Sequence, residues 1–376
     1  MNLTSNPIFK DKEFLISHIK SIMRFYHPRC IDNENGGFFQ HFRDDGSVYD
    51  FDTRHLVSST RFIFNYSMAS IELDNDEYKD VIRHGIEYLR QFHLNTKTGS
   101  YAWILEGKDV QDSTNYCYGF AFVLLAYSTA LRAGILEAKD FIDETFDVME
   151  KHFWSKEHEL YSDEISADWQ VVSSYRGQNA NMHSCEALIM AFEATGSQKY
   201  LDRALIIAKN ICIRQASLAE GLIWEHYDSN WEINWVYNKD RPDDLFRPWG
   251  FQVGHLTEWA KLLLILERHV KEDWLLPRAQ ELFDDAIEMG WDAESEGLFY
   301  GFSPNGDICD KDKYFWVQAE SIAAAAVLAN RTGDDYYWEW YDRIWSYSWK
   351  HMIDHKYGAW FRILDSNNNK YDDLKS

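Results

Sequence analysis

Two short segments, "NMHSCE" and "GHLTEW", place His183 three residues before Glu186 and His255 three residues before Glu258. Three residues is close to one helical turn, so each His–Glu pair shares a helix face. Imidazole titrates nearest neutrality and, when neutral, takes a proton from carbon and returns it. Both histidines read as opening their helices at equivalent places, near the positive end of the helix dipole, where the imidazolium is disfavoured. A lone histidine in a helix is ordinarily a satisfied core residue. Two of them, beside Arg176 and Asn179 in one case and Arg247 in the other, read instead as a proton-transfer site. Other polar residues gather in the same way: Arg54 and His55 before one apolar stretch, Tyr118 at the head of another, and Trp316, Gln318 and Glu320 in "WVQAE". The His-x-x-Glu spacing would also suit a divalent cation held between helices. No third ligand stands at a matching spacing, so the site reads as free of metal and of any other cofactor.

What must position these groups is written in a repeat. The segments "GGFFQHFRDDG", "TGSYAWILEGK", "HELYSDEISAD", "EGLIWEHYDSN", "EGLFYGFSPNG" and "YGAWFRILDSN" are copies of one turn followed by an aromatic and apolar run. A fixed period of this kind means one supersecondary unit used six times. Helices leading into the turns carry a single apolar stripe, such as Leu15, Ile19, Ile22 and Met23, and read as outer helices. Those that follow, such as "YGFAFVLLAYSTAL" and "HLTEWAKLLLILE", are apolar nearly all round and read as buried inner ones. Outer helix, turn, inner helix, six times over, predicts an all-α (α/α)6 barrel with short hairpin-like segments in its turns, one domain over residues 1–376. Only five inner helices follow the six turns, so the sixth is expected to be missing from this chain. The polar residues then form a pocket at the inner-helix starts, inside an aromatic wall.

Bulk composition narrows the partners. Formal net charge is −23, which argues against nucleic acid and anionic membranes, whose binding wants a basic surface. The longest apolar run, "IAAAAVLA", is too short to span a bilayer. Five scattered cysteines without a CxxC pair fit reduced thiols in a cytoplasm. A small-molecule ligand and a monomer or homodimer are the expectation.

At "NANMH", "GHLTEW" and "WVQAE", in that order, the chain resembles the N-acylglucosamine 2-epimerase superfamily. "DTRHLVSSTRFIFNYS" is more similar to its mannose isomerase branch than to the acyl-hexosamine epimerases. The resemblance implies a metal-free barrel that opens an aldose ring and moves a proton at C2, giving D-mannose–D-fructose isomerisation, with 2-epimerisation as the alternative. By that likeness His255 is an acid/base, and Glu258 orients it or helps open the ring. Arg54 polarises the sugar oxygens and stabilises a cis-enediol(ate), while Tyr118, Asn179, His183, Trp316, Gln318 and Glu320 hold hydroxyls or shape the pocket. Arg176 stands at the same mouth. Trp231, Trp235 and Trp249, in the long loop before the fourth inner helix, either stack on a sugar face or pack that loop. The family's second catalytic histidine opens the sixth inner helix, and nothing here matches it: His351 and His355 precede the last turn. Its absence predicts weak sugar binding and slow turnover. A two-carboxylate glycoside hydrolase using Glu258, Glu320 or Asp168, or a non-catalytic sugar-binding module, are the competing readings.

Overall fold

A computed structural model describes residues 7–375. Among them run eleven α-helices: α1 (Lys12–Tyr26), α2 (Leu56–Leu73), α3 (Glu77–Tyr88), α4 (Cys117–Arg132), α5 (Ala138–His152), α6 (Gln178–Thr195), α7 (Gln198–Lys209), α8 (Val253–Glu267), α9 (Leu275–Gly290), α10 (Phe315–Thr332) and α11 (Asp335–Tyr347). The alternation follows the apolar pattern. In α4, 13 of the 16 residues are buried, whereas α5 buries only Ala138, Ile142, Thr145, Phe146 and Met149, a stripe at helical spacing. Hydroxyls inside the buried helices bond back to the carbonyl four residues earlier, as Ser128 does to Leu124 and Ser184 to Ala180, so none is stranded in the core. Beyond α11 the described residues form a π-helical turn, a two-residue strand and loops, with no further α-helix.

The chain packs into two compact units. One comprises Tyr26–Asn210 with Tyr227–Glu232. There α4 lies between α2 and α6, and α3, α5 and α7 back onto α2, α4 and α6. The other comprises Ile211–His226, Ile233–Lys375 and the segment up to Phe25. There α8 packs on α10, with α9 and α11 behind them. Helix α1 lies beside α11, joined by the Phe14 ring on Trp345 at 5.6 Å and by the Tyr341 hydroxyl donating to the Phe9 carbonyl at 2.8 Å.

The repeated turn needs one residue in the left-handed region, with φ of 70° at Gly37, 74° at Gly99, 95° at Gly221, 81° at Gly297 and 96° at Gly358. The third copy places Glu159 there at φ 53°. After four of the turns a short strand pairs antiparallel with the strand that opens the preceding inner helix. Thr53–His55 pairs with Ile104–Glu106, Asn115–Tyr116 with Glu164–Ile165, Phe251–Gln252 with Gly301–Phe302, and Lys313–Tyr314 with Ile363–Leu364.

These strands are clamped from both sides. Asn181 and Gln318, each the fourth residue of its helix, receive and return a backbone hydrogen bond with Tyr161 and Leu298 respectively. Buried cations reach back to aspartates in the turns, Arg54 and Lys313 from strands that lead into helices and Lys375 from a loop: Arg54 to Asp32 at 2.9 Å, Lys313 to Asp292 at 2.8 Å and Lys375 to Asp354 at 2.6 Å. Burial alone would raise these three aspartates. Backbone N–H donors and the paired cations instead hold each below the ordinary carboxylate range.

Candidate active site

A common origin for the inner helices comes from one recurring hydrogen bond. The first residue of the helix donates its N–H to a carbonyl of the next turn: Leu56 to Trp103 at 2.9 Å, Cys117 to Asp163 at 2.8 Å, Val253 to Tyr300 at 3.1 Å and Phe315 to Arg362 at 3.2 Å. Counting from that residue, the second position carries Val57, Tyr118, Asn179, Gly254 and Trp316. The sixth carries Arg61, Phe122, His183, Glu258 and Glu320, and the ninth Phe64, Leu125, Glu186, Lys261 and Ala323. Steps of four and three residues keep these positions on one face of each helix. Seven of the residues singled out from sequence (Tyr118, Asn179, His183, Glu186, Glu258, Trp316 and Glu320) fall on that face.

The two histidines are not equivalent, contrary to expectation. His183 sits at the sixth position and His255 at the third, so Glu258, not His255, shares His183's place in the repeat. The two His-x-x-Glu motifs match in letters while lying one helical turn apart, and nothing in the sequence marks where each helix begins.

In the unit holding α2 to α7, the Arg61 guanidinium lies over the Phe122 ring, 4.4 Å from its centroid. Phe122 in turn meets the His183 ring at 4.7 Å, and Tyr118 stands edge-on to His183 at 5.1 Å. His183 Nδ1 lies 3.0 Å from Glu186 Oε2. A carboxylate there accepts a hydrogen bond from Nδ1–H, which makes Nε2 the accepting nitrogen of the neutral ring.

In the unit holding α8 to α11, His255 is 8% exposed, with its Nδ1 2.9 Å from Oε1 of Glu225, itself 4% exposed. Trp316 lies tilted against the same imidazole, ring centroids 5.3 Å apart. The acid found on His255 Nδ1 is therefore Glu225, thirty residues earlier in the fourth turn, rather than Glu258 one turn along the helix. Glu258 is buried, and Lys261, three residues after it, forms an ion pair with Glu320.

Other sequence candidates are engaged elsewhere. Arg54 is 1% exposed and tied to Asp32 and to the Phe51 and Thr53 carbonyls, which places its guanidinium in a strand clamp. Arg176 occupies the equivalent position and donates to the Ser173 and Tyr175 carbonyls. Both ends of the Gln318 amide are taken by the Leu298 backbone. The long loop's tryptophans pack it together: Trp249 donates its indole N–H to the Trp235 carbonyl at 2.7 Å, and Trp224 lies tilted against Trp235, ring centroids 4.7 Å apart. Trp231 is buried against Tyr227.

Three groups escaped the sequence reading. Arg61 and Lys261 each had a signal, a lone cation inside a stretch otherwise apolar enough to be buried. Glu225 had only a weak one, an acid within the apolar run "GLIWEHY". Among the described residues no helix is long and apolar enough to cross a membrane.

Residues 37–376 match the family model of N-acylglucosamine 2-epimerase. The chain is 58% identical over 373 residues to D-mannose isomerase of Marinomonas mediterranea, covering 99% of this chain and 94% of that protein. A crystal structure of a D-mannose isomerase superposes with a TM-score of 0.97 at 58% identity, over 99% of this chain and 95% of that one. Cellobiose 2-epimerase from Bacillus thermoamylovorans gives 0.84 at 17% identity, over 97% and 95%. That last likeness speaks to fold alone, and the fold is the (α/α)6 barrel expected from the repeats.

Proposed function

The chain belongs to the N-acylglucosamine 2-epimerase family, and we propose that it is an aldose–ketose isomerase that interconverts D-mannose and D-fructose. The near-full-length likeness to D-mannose isomerase carries the choice of reaction. The chemistry asks for a base near neutral pKa beside the carbon, and for a group that stabilises the oxyanion as the proton leaves. His255, with Nδ1 committed to Glu225, takes the C2 proton on Nε2 and, after exchange of that proton with solvent, delivers one to C1. Arg61 takes the oxyanion role first expected of Arg54, whose guanidinium the buried Asp32 holds. His183 and Glu258 serve ring opening and hydroxyl exchange, and Tyr118, Asn179 and Trp316 bound the sugar. Five free cysteines, four of them buried, support a reducing compartment, the cytoplasm, where the chain would act on its sugar as a monomer or homodimer.

Proton NMR of D-mannose incubated with the protein in D2O tests this reading. The expected product is fructose carrying deuterium at C1, formed at the same rate with and without EDTA. Glucose deuterated at C2 as the first product would replace the isomerase by a 2-epimerase, and a loss of activity in EDTA would refute the metal-free route. His255→Gln is expected to slow turnover by about 10²- to 10⁴-fold, the usual worth of a positioned acid/base.

A further inference from the structure

We infer that Glu225 is the positioning residue of the acid/base, fixing the tautomer and the ring orientation of His255; this rests on the isomerase reading above. A neutral imidazole carries its proton on either nitrogen, and only the form protonated at Nδ1 presents Nε2 as a base. The Glu225 carboxylate, 2.9 Å from Nδ1, selects that form. Both partners are nearly sealed from solvent, and a buried carboxylate without a hydrogen-bonded partner is costly, so the pair is held together from both sides. Its backbone is fixed on either flank. Trp224 donates its indole N–H to the Asn234 carbonyl at 3.2 Å, and His226 Nε2 lies 2.8 Å from the Pro248 carbonyl. The turn therefore delivers the carboxylate to one place.

The location on the helix explains why an acid is needed. His255 is the third residue of α8, among the N–H groups that lack intrahelical acceptors, where the positive end of the dipole opposes a charge on the ring. Proton abstraction makes that ring an imidazolium for the lifetime of the enediolate. A carboxylate at Nδ1 offsets the dipole at that moment and is itself stabilised by the same helix end. Glu258, on the next turn of the helix, is left to act on the sugar.

Glu225→Gln, Glu225→Asp and His255→Gln test the assignment. Nitrogen-15 NMR of histidine-labelled protein, with the His255 signals identified by their loss in His255→Gln, reads the tautomer without needing turnover. The expected result is a proton on Nδ1 in the native protein and on Nε2, or shared, in Glu225→Gln. Turnover in that variant should fall on the order of 100-fold with KM changed by no more than about twofold, and Glu225→Asp should recover part of the loss. Should Glu225→Gln fail to fold, the Glu225→Asp spectrum and kcat carry the comparison. An unaltered tautomer and kcat, or a loss of folded protein with normal kcat in what remains, would overturn the inference. A native protein that leaves D-mannose untouched would refute the isomerase reading, while the tautomer comparison still decides the role of Glu225.

Discussion

Two arginines separate stability from chemistry at the scale of single residues. Arg54 is enclosed with Asp32, so Arg54→Met leaves a buried carboxylate without its cation, a change that costs about 3–5 kcal/mol. Arg61 is exposed on its helix and touches a ring face, so Arg61→Met should leave the melting temperature within about 2 °C, since surface substitutions rarely exceed 0.5 kcal/mol. Its turnover should nevertheless fall by about 10²- to 10³-fold, the worth of one oxyanion donor. Thermal melts and steady-state kinetics on both variants check the pair of outcomes, and an Arg61 variant with native kcat would return the oxyanion role to another group. Sequence favoured Arg54 because it stands beside His55 in a polar segment, while Arg61 hides in an apolar helix. Polarity marks a residue, but only packing tells whether its charge is already answered. The acid on His255 was less legible still, because a hydrogen bond across thirty residues leaves no periodic trace.

The repeat is a set of interchangeable joints at the scale of elements. In the joints built on Asp32, Asp292 and Asp354, the turn residue bends left-handed and a buried cation further along the chain clamps the turn's aspartate. Lys313→Met should therefore destabilise the fold by about 3–5 kcal/mol, while adding Asp292→Asn removes the orphaned charge and recovers part of it. Chemical denaturation of the two single variants and the double one checks this, and simple additivity would show that the clamp is not a coupled unit. Outer and inner helices were legible because a one-stripe and an all-apolar pattern differ over fifteen residues. Helix starts were not, and the one-turn error between His183 and His255 follows directly. The clamps were illegible for another reason: Arg54 differs in type from Lys313 and Lys375, and the three share a role without sharing a motif.

The whole molecule sums many titrations, and their signs predict how stability follows pH. Burial is the main cause that lowers His18, His55 and His93 to about 4, with a neighbouring His355 and His41 adding to the first two. An unfolded chain protonates these rings near the ordinary 6.5, so between there and about pH 4 the unfolded state binds more protons and the fold loses stability as pH falls. Four carboxyls act oppositely: Asp284, Asp285, Asp310 and Asp312 are all raised, Asp284 and Asp310 the most. Burial, then nearby aspartates, raises Asp284 and Asp310 to about 6, so the fold holds their protons longer than the unfolded chain does. Relief of the repulsion behind a net charge of −23 comes only as ordinary carboxylates protonate near pH 4. In that same range the lowered Asp32, Asp292 and Asp354 lose their clamps. With three rings lowered to about 4 against two acids raised to about 6, the melting temperature should be level above pH 7, decline from about 6.5 towards 4, and drop more steeply below that. Asp310→Asn supplies the internal control. It removes a charge the fold disfavours at neutral pH, so it should raise the melting temperature most at pH 7.5, less at pH 5, and hardly at all below the ordinary carboxylate pKa of 3.8. A native protein that becomes more stable on acidification to pH 5 would mean that the acids outweigh the buried histidines.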